Sequence, residues 1–502
     1  MPLRFVFRVD SSPLIGAGHV MRCLTLANML RARGMECVFV CRDFPGNISA
    51  KIVSAAFEVQ LLKHDPALPE NNWLGAGQAE DADETLSAMK TQKPDWFVVD
   101  HYGIASEWEE AACAKMQGCK VLAIDDLADR KHTCDMLMDL SPGRLATDYD
   151  GLVSEKTKLL TGLDYALLRP GFAKLRQKLG ASKSGPQKPA NILVTFGGGN
   201  IDEPLRETLK AFAGMGDLVD LNLTVIGKKP EHELPDLLTK NVEWIEYEPD
   251  MASRMADADL MICAAGGTSW ERCCLGVPAV ALMVAENQRL NFEALEKSGA
   301  ALCVKTDASE IASALKNLVQ DQELYSRISA NAWNLCDGEG AKRVADALLA
   351  QSMKVAGAGL EDARFIYDAR YADGAERFYK NPVKPEYQDH VRWFESALQS
   401  DAYRFLSVTL KDEKFAHVRL DVDPQSPDIA ELGIALAESY RGKGLAVPAL
   451  LAAVKHAGAA GFKTINAEVH PENAASKRLF EAAGFALVGN AEDGLLHYQR
   501  TI

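Results

Sequence analysis

The sequence contains no long hydrophobic run, and that absence excludes whole classes of protein. No apolar stretch in the 502 residues approaches the roughly 20 residues that a membrane-spanning helix requires, and the first residues do not resemble a signal peptide. Basic residues are also few, since 55 Lys and Arg stand against 70 Asp and Glu and give a net charge of −15. We therefore expect a cytoplasmic protein whose main partner is neither a nucleic acid nor an anionic membrane.

Cysteine pairs and clusters of metal ligands are lacking as well. The 11 cysteines include no Cys-x-x-Cys pair and lie mostly in apolar runs, which favours reduced, buried thiols over a disulfide framework. The candidate site motifs contain no clear ligand cluster, so we expect no metal. The remaining composition is that of a globular protein, with 47% hydrophobic and 25% charged residues, and the length allows about three domains.

A glycine-rich turn near the amino terminus contains the first candidate site. An apolar run at Arg4–Asp10 predicts a buried strand, and the alanine- and leucine-rich run Cys23–Arg33 predicts a helix. Between them, Gly16 and Gly18 allow a tight turn and the close approach of a ligand, and the unpaired amides at the helix start favour an anion. His19 lies at this start, where the helix dipole favours the neutral imidazole that a general base requires. The alternative is a nucleotide-binding turn in which the histidine takes no part.

Alternating strands and helices after this turn predict an α/β fold. Several apolar runs indicate buried parallel strands, and some end in aspartate at the edge where open α/β sheets bind ligands. These runs are Val38–Cys41, Trp96–Asp100, Val121–Asp125 and Met136–Asp139. The pattern restarts at Asn191–Phe196 with a second glycine turn that contains Gly198. We predict two Rossmann-type domains that face a cleft, over residues 1–180 and 187–350.

A second glycine-rich motif, Ala264–Arg272, follows a predicted strand and opens a predicted helix. Its glycines, free amides and hydroxyls form a cradle suited to a pyrophosphate, and Glu271, one turn into the helix, is placed to reach ribose hydroxyls. The cradle residues are Gly266, Gly267, Thr268 and Ser269. The alternative is a plain tight turn followed by a solvated glutamate, but two further polar loops in the same half favour nucleotide binding.

The pattern changes beyond Ala356–Gly359, which we interpret as a linker. Aromatic residues become more frequent, and runs such as Phe415–Val422 indicate antiparallel strands. We predict a separate α+β domain over residues 360–502. Its marked strand-turn-helix, Ile434–His456, contains the turn Arg441–Ala446, whose free amides are suited to a second pyrophosphate.

Several motifs of the first two predicted domains occur together in one known family. They are Arg8–Ser12, Ile15–Cys23, Val99–Gly103, Asp125–Ala128, Phe196–Gly198 and Ala265–Glu271. Over residues 3–345 the chain resembles the UDP-2,4-diacetamido-2,4,6-trideoxy-β-L-altropyranose hydrolases of pseudaminic acid biosynthesis. That family is similar to the GT-B nucleotide-sugar glycosyltransferases, so the resemblance implies a GT-B-like pair of domains with UDP held mainly by the second.

The resemblance implies a role for each motif residue. His19 matches the family's base, which activates water for attack at the anomeric carbon, so that UDP leaves with inversion. Asp10 or Asp100 orients His19 or binds sugar hydroxyls, and Arg22 contacts the diphosphate. The remaining substrate-binding residues are Gly16, Gly18, Tyr102, Gly198, Gly266, Gly267, Thr268, Ser269, Glu271, Asn287 and Gln288. We rank His101 below His19 and expect His64, His132 and His232 to be solvated.

The last predicted domain resembles the GNAT acyl-CoA N-acetyltransferases over residues 363–500. The resemblance rests on the turn after Leu436 and on the later segment His470–Phe480. It implies acetyl-CoA as co-substrate, held by Leu436, Arg441, Gly442, Lys443, Gly444, Leu445, Ala446, Asn473 and Ser476. The motif does not indicate which molecule accepts the acetyl group.

One departure from the GNAT pattern concerns proton transfer. Phe480 stands where many relatives have a tyrosine that protonates the departing thiolate, and phenylalanine has no proton to give. Either solvent, Tyr498 or His470 supplies that proton, or the domain is impaired. Glu431 and His470 are the candidates for the base that acts on the amine, with ordinary strand-end polar residues as the alternative for both.

Together these observations predict a bifunctional enzyme: a UDP-sugar hydrolase fused to an acetyltransferase. In the resembled pathway an acetyltransferase modifies the 4-amine of the UDP-sugar just before hydrolysis, so we expect UDP-sugar and acetyl-CoA as the small-molecule partners. The first alternative is a GT-B glycosyltransferase with a tailoring acetyltransferase. The second is a pair of non-catalytic nucleotide and CoA sensors. The sequence does not indicate an oligomeric state.

Overall fold

A computed structural model of the chain describes residues 2–67, 73–89, 93–181, 189–197, 202–215, 221–227, 229, 242–372, 375–379, 382–491 and 494–502. The chain divides into two compact units. The two-sheet unit comprises Arg4–Arg31 and Met35–Arg343, and the C-terminal unit consists mainly of Val344–Ile502. Of the helices in the described ranges, none is long and apolar enough to cross a lipid bilayer.

The first sheet of the two-sheet unit is parallel. Its strands are β1 Arg4–Val9, β2 Glu36–Arg42, β3 Glu58–Leu62, β4 Trp96–Asp100, β5 Lys120–Ile124, β6 Met136–Asp139 and β7 Lys158–Thr161, and its helices are α1 Gly18–Arg31, α2 Ser49–Ser54, α3 Gln78–Ala88, α4 Ser106–Lys115 and α5 Pro170–Leu179. Within the described residues the strand order is β3-β2-β1-β4-β5-β6-β7. Every residue of the central strand β4 is buried, as expected for a parallel strand that is covered on both faces.

The second sheet repeats the same arrangement. Its strands are β8 Asn191–Thr195, β9 Asn222–Ile226, β10 Val242–Ile245, β11 Leu260–Ala264, β12 Ala279–Leu282 and β13 Leu302–Val304, and its helices are α6 Asp202–Ala213, α7 Met251–Asp257, α8 Thr268–Cys274, α9 Arg289–Ser298, α10 Ala308–Gln320, α11 Gln322–Leu335 and α12 Gly340–Ser352. The order β10-β9-β8-β11-β12-β13, again for the described residues, is that of a Rossmann-type sheet. In each sheet the order reverses between the first and fourth strands, and this switch point is where such folds bind ligands.

The C-terminal unit contains a mixed sheet. Its strands are β14 Met353–Gly357, β15 Tyr403–Leu410, β16 Glu413–Asp423, β17 Ser426–Leu436, β18 Thr464–Val469, β19 Ala486–Asn490 and β20 Leu496–Thr501, and its helices are α13 Ala363–Arg370, α14 Tyr387–Leu398, α15 Ala446–Ala459 and α16 Ala474–Ala482. Among the described residues the order is β14-β15-β16-β17-β18-β20-β19. The neighbours β17 and β18 are parallel, whereas the other adjacent pairs are antiparallel.

The sequence predicts the central strands but not the edge strands. β3 and β7 lie at the edges of the first sheet, and β10 and β13 lie at the edges of the second. Only one residue of β3 and one of β7 is buried, and β10 and β13 have none, so these segments lack the continuous apolar runs of the central strands. The linker prediction is also wrong in part, because Ala356 and Gly357 are the last residues of β14 and pair with β15. This pairing uses only backbone groups, which every residue type provides, so the side chains gave no sign of it.

A buried ion network holds the first sheet to its helices. The Asp81 carboxylate on α3 accepts two hydrogen bonds from Arg8, at 2.8 and 2.7 Å, one from Arg42 at 2.7 Å and one from the Trp108 indole at 2.8 Å. Arg8 and Asp81 have no exposed surface, and Arg42 is 2% exposed. Burial alone would raise the pKa of Asp81, but the two guanidinium groups lower it to about 2.

We expect Asp81→Asn to destabilise the fold by about 3–5 kcal/mol, because it removes the buried carboxylate that both guanidinium groups share and leaves Arg8 with Asp10 alone and Arg42 with the partly exposed Glu84. In the unfolded chain the carboxyl has a pKa of about 3.9. The stabilisation is therefore complete above that pH and is lost as the pH falls towards 2. Urea denaturation of both proteins between pH 2 and pH 7 measures the difference.

The matched control is Asp83→Asn on the same helix. Asp83 pairs with Lys115 while half of each side chain is exposed, at 53% and 56%, so its loss should change stability by less than about 0.5 kcal/mol. Equal costs for the two variants, or a difference that does not shrink at low pH, would contradict the assigned role of Asp81.

Candidate active sites

The His19 turn lies at the switch point of the first sheet. The backbone N–H of Gly16 donates to the Ser12 carbonyl at 2.8 Å, and Gly16 has a φ of +83°, which favours glycine. A Cβ on Gly18, the first residue of α1, would meet no atom within 4 Å. The turn therefore leaves open space beside the first helical amides, and His19 follows in the first turn of the helix with 8% of its surface exposed.

Asp100, at the end of the adjacent strand β4, fixes the His19 ring. His19 Nδ1 lies 2.6 Å from Asp100 Oδ1. Arg22, one turn further along α1, donates to the same carboxylate through Nε and Nη2, both at 2.6 Å. Because Nδ1 donates its proton to the carboxylate, we assign the free lone pair of the ring to Nε2.

The pKa of Asp100 indicates that this carboxylate stays ionised. Asp100 is fully buried, and burial alone would raise its pKa, but Arg22 and His19 hold that pKa well below its usual range. An ionised, buried Asp100 stabilises an imidazolium on His19. The pair thus has the geometry of a general base with its orienting carboxylate.

Tyr102 and Asp126 complete this cluster. The Tyr102 ring lies edge-on to the His19 ring with centroids 4.8 Å apart, and its hydroxyl donates to Asp126 at 3.1 Å. Arg22 Nη1 reaches Asp126 at 3.2 Å. Burial and the nearby carboxylate raise the pKa of Tyr102, so its hydroxyl keeps its proton. Arg22, predicted to contact a diphosphate, instead forms ion pairs with two carboxylates.

Asp10 lies apart from this cluster. Its Oδ1 accepts hydrogen bonds from Arg8 and from the backbone N–H of Arg42, both at 2.6 Å. Its Oδ2 lies 3.4 Å from His101 Nε2. His101 is buried, and burial lowers its pKa to about 4. Of the two aspartates predicted to orient His19, the structure therefore places Asp100, and not Asp10, against the ring.

Sequence reasoning missed two neighbours of this cluster. Asp126 lay within a motif but had no role, and Trp73 lay in no motif. The Trp73 ring is 5.5 Å from the Tyr102 ring, which extends the aromatic wall beside His19. No spacing rule indicates either contact, because both depend on loops from different strands. His132 was expected to be solvated but is buried, with Nδ1 2.7 Å from Glu109, so that expectation is wrong.

The second glycine motif lies at the switch point of the second sheet. Gly267 caps α8, and a Cβ on it would meet no atom within 4 Å, which leaves space for a ligand. The side chain of Gln288 lies beside Gly266, and its Nε2 would be 3.7 Å from a Cβ placed on that glycine. The Oε1 of Gln288 accepts a hydrogen bond from the Val284 amide at 3.1 Å. Asn287 is exposed beside it. The predicted loop residue Gly198 lies outside the described residues.

Two residues of this motif have structural partners that the sequence did not reveal. The Ser269 hydroxyl is buried and donates to the Ala264 carbonyl at 3.2 Å, so it is committed to the fold and is not part of the open cradle. Thr268, by contrast, is partly exposed. Glu271 accepts from Arg169 Nη2 at 2.9 Å and from Nε at 3.3 Å, both through Oε1. Burial raises the pKa of Glu271 against the opposing effect of Arg169.

In the C-terminal unit, the strands β17 and β18 separate. Their paired residues run from Ile429–Thr464 to Glu431–Asn466, whereas both strands continue beyond that point. The backbone of β17 up to Leu436 thus keeps only its β16 partner. A gap of this kind leaves amides and carbonyls free to bind an extended ligand such as a pantetheine arm.

The turn after this gap is the one that the sequence predicts to hold a pyrophosphate. Gly442 and Gly444 have φ values of +74° and +70°, which other residues rarely adopt. Lys443 between them is exposed, and the buried Leu445 caps α15, which begins at Ala446. Arg441 differs from the prediction, because its guanidinium donates to the carbonyls of Leu436 and Ala369 and so holds the turn in place.

The other predicted cofactor residues begin α16. Asn473 is the N-cap of this helix, and its Oδ1 accepts from the Ser476 amide at 3.0 Å. This bond occupies the oxygen of Asn473 and leaves its amide nitrogen as the group that remains for a ligand. Asn473 and Ser476 are both partly exposed at the start of this helix.

The candidates for proton transfer are not equivalent. Phe480 is buried, and the Tyr498 hydroxyl donates to Glu481 at 2.9 Å, so this tyrosine is engaged within the fold. His470 Nδ1 accepts from the Glu472 amide at 3.2 Å, which puts the proton of the neutral ring on Nε2. Glu431 lies at the last paired position before the gap. The lone pair of His470 Nδ1 is thus engaged within the fold, and the role of Glu431 as a base stays a prediction.

No grouping of three or more His, Cys, Asp or Glu side chains that suits a metal ion occurs in the part of the chain that the structure describes.

Comparisons with known proteins agree with this architecture. Residues 196–348 match the family model of the Glycosyltransferase family 28 C-terminal domain, and residues 358–486 match that of the Acetyltransferase (GNAT) domain. A UDP-2,4-diacetamido-2,4,6-trideoxy-beta-L-altropyranose hydrolase of Campylobacter jejuni is 28% identical over 199 residues, which cover 40% of this chain and 62% of the hydrolase. The match therefore spans less than two thirds of that relative.

Two further comparisons concern the whole architecture. An uncharacterised protein of Methanocaldococcus jannaschii is 24% identical over 500 residues, and the match covers 96% of both chains. The solved structure of the glycotransferase of kitacinnamycin is 20% identical with a TM-score of 0.50, over 70% of this chain and 99% of that one. The predicted fold class, a GT-B-like pair of Rossmann-type domains followed by a GNAT domain, is confirmed. The chain thus combines a segment that matches the C-terminal domain of glycosyltransferase family 28 with a segment that matches the GNAT acetyltransferase domain, and part of its length is similar to the altropyranose hydrolase.

Proposed function

We propose that the two-sheet unit hydrolyses UDP-2,4-diacetamido-2,4,6-trideoxy-β-L-altropyranose to UDP and the free sugar. The observation that carries this proposal is the contact between His19 and Asp100 at the switch point of the first sheet. Residues 1–180 form the proposed catalytic domain, and residues 187–350 form the proposed UDP-binding domain. The relative named as a hydrolase of this UDP-sugar supports the assignment.

The proposed reaction is a single displacement by water. His19 Nε2 takes a proton from water as the oxygen attacks the anomeric carbon, and the configuration inverts. Asp100 stabilises the imidazolium that forms and keeps the ring in position. The bond to the diphosphate breaks as the new bond forms, and the amides at Gly267 and Thr268 stabilise the charge that develops on UDP. Glu271 is proposed to bind the ribose, and Tyr102, Asn287 and Gln288 to line the substrate site.

We propose that residues 360–502 transfer an acetyl group from acetyl-CoA to the 4-amine of the precursor UDP-sugar. The gap between β17 and β18 and the turn at Gly442–Gly444 support binding of the co-substrate. Glu431 is the proposed base that takes the proton of the amine, directly or through water. With Phe480 in place of a tyrosine, the departing thiolate takes its proton from solvent.

We expect His19→Ala to reduce release of free sugar by about 10²–10⁴-fold, the usual cost of removing a general base, while UDP binding stays within about twofold. The measurement is sugar release from the UDP-sugar with no acceptor present, followed by mass spectrometry. Asp100→Asn keeps the histidine but removes the charge that stabilises its protonated form, so kcat should fall with little change in KM.

Two outcomes would contradict this assignment. Retention of at least half of the wild-type turnover by His19→Ala would exclude it as the base. A wild-type protein that binds the UDP-sugar but releases no free sugar without an acceptor would favour the glycosyltransferase alternative.

We expect the double variant Gly442→Asp, Gly444→Asp to lose acetyl-CoA binding in calorimetry. Two carboxylates would face the pyrophosphate, and both positions need a positive φ. Gly461→Asp is the control for backbone strain, because Gly461 also has a positive φ, of +99°, but it lies beyond the other end of α15. Equal loss in both variants would mean that backbone strain, and not the charge at the turn, removes binding.

We expect acetyl-CoA to accelerate sugar release when the substrate is the free-amine UDP-sugar. A site that hydrogen-bonds the 4-acetamido group leaves polar groups unpaired against an ammonium, which also loses its hydration. The double variant should lose this acceleration and still hydrolyse the acetylated substrate at the wild-type rate. Equal rates with and without acetyl-CoA in the wild-type protein would show that the two reactions are not consecutive.

A further inference from the structure

Arg370, the last residue of α13, is a cation held by aromatic rings. Its guanidinium carbon lies 4.4 Å from the centroid of the Tyr379 ring and 5.8 Å from that of the Tyr371 ring. Within the described ranges, no Asp or Glu forms an ion pair with it, and none of its N–H groups donates to another residue. Aromatic faces attract a cation without neutralising it, and the side chain is partly exposed. Its charge is therefore available to an anionic ligand.

The end of α13 lies beside the end of β17. Arg441 Nη2 donates to the carbonyl of Ala369, the residue before Arg370, at 3.0 Å. The Nε of the same guanidinium donates at 3.1 Å to the carbonyl of Leu436, the last residue of β17. This is the part of β17 that has separated from β18. Arg370 is thus one residue from a direct link to the gap between these strands.

The chain after α13 reaches the other strand of the gap. The Phe378 ring lies 5.6 Å from the ring of His470, which directly follows β18. The hydroxyl of Tyr379 donates to the Arg370 carbonyl at 2.6 Å and holds this segment against the end of α13. Contacts from the two ends of the segment therefore reach both strands, which places Arg370 at the mouth of the gap.

The strand register puts the proposed base on the side of the sheet that α13 covers. Phe405 on β15 belongs to one core cluster with residues of α13. Phe405 pairs with Arg419 on β16, and Arg419 pairs with Gly433 on β17. Residues directly opposite one another face the same side, as do residues two apart along a strand. Glu431 therefore faces the same side as Phe405, towards the layer that contains Arg370.

We propose that Arg370 binds the diphosphate of a nucleotide-linked sugar whose amine receives the acetyl group. The proposal rests on the proposed function, in which that acceptor is a UDP-sugar, and it names the residue that selects it. The amine must reach Glu431 at the gap, while the diphosphate lies across the sugar ring from the amine. One molecule therefore needs two separate contacts on the same side of the sheet. A guanidinium suits the second contact, because it binds phosphate oxygens through two parallel hydrogen bonds.

The pyrophosphate of acetyl-CoA is the other source of the same chemistry. The turn at Gly442–Gly444 with the exposed Lys443 already offers backbone amides and a cation to that group. We therefore assign Arg370 to the acceptor, and the test separates the two sources by measuring KM for each substrate.

The first experiment compares three acceptors with the full-length wild-type protein. They are the free 4-amino sugar, its 1-phosphate and its UDP derivative, and the acetylated product is measured by mass spectrometry. We expect KM to be about tenfold or more lower for the two phosphorylated acceptors than for the free sugar, since only these engage Arg370. This comparison does not depend on the folding of a variant.

Arg370→Met should raise KM for the UDP-linked amine by about tenfold and leave kcat within about twofold. The contact is remote from the amine and is made equally in the ground state and the transition state. KM for the free sugar and KM for acetyl-CoA should not change. Arg370→Lys keeps the charge but loses the two parallel hydrogen bonds, so its KM should lie between those of the wild-type protein and Arg370→Met.

Arg364→Met is the matched control. Arg364 lies on the same helix with its guanidinium carbon 5.0 Å from the centroid of the Tyr387 ring. Its Nε donates to Asp368 at 2.8 Å, and 66% of its side chain is exposed. Its loss removes a similar ring contact from a charge that is already paired, so every KM should stay at the wild-type value.

Three outcomes would overturn the inference while acetyl transfer itself stands. The wild-type protein would use the free and the phosphorylated acceptors with equal KM, or Arg370→Met would raise KM for all three acceptors equally, which indicates a structural role. The third outcome is an increase in KM for acetyl-CoA alone, which would assign Arg370 to the co-substrate. A wild-type protein that binds acetyl-CoA but acetylates none of the three amines would instead refute the proposed function, and the inference with it.

Discussion

The candidate hydrolytic site depends on one buried carboxylate. Asp100 ends β4 and holds both His19 and Arg22, two residues on successive turns of α1. This single group therefore sets the direction of the imidazole and joins the helix to the neighbouring strand. Because Arg22 also pairs with Asp100, part of the negative charge of this carboxylate is already neutralised before His19 takes a proton. The resulting site holds the His19 ring in a fixed orientation beside an ionised carboxylate.

Sequence reasoning predicted this candidate site but could not choose the residue that orients His19. Asp10 directly follows β1 and Asp100 ends β4, and these buried strands are neighbours, so both were reasonable candidates. The register pairs Asp100 with Val9, which puts Asp10 one residue further along. Successive residues of an extended chain face opposite sides, so only one of the two carboxylates can face α1. Register is a property of the sheet and is not encoded in the local motif.

The remaining differences between sequence and structure have the same origin. Central strands and glycine turns are local features and were predicted, whereas the edge strands were not, because their partial exposure removes the apolar pattern. The hydrogen-bond partners of Ser269, Arg441 and Tyr498 likewise could not be predicted from the sequence, because each bond depends on how the chain folds. The motif gives the residue type at a site, and tertiary contacts decide which of its atoms are free.

The network around Asp81 has an evolutionary consequence. Arg8, Arg42 and Asp81 share ion pairs in the interior, with Asp10 as a second partner of Arg8, so replacement of any one of the three leaves another with fewer partners in a low dielectric. A lineage that replaces these residues one at a time therefore passes through less stable proteins. The three positions should therefore be inherited as a set or exchanged together for apolar residues, and their joint variation among relatives would record that constraint.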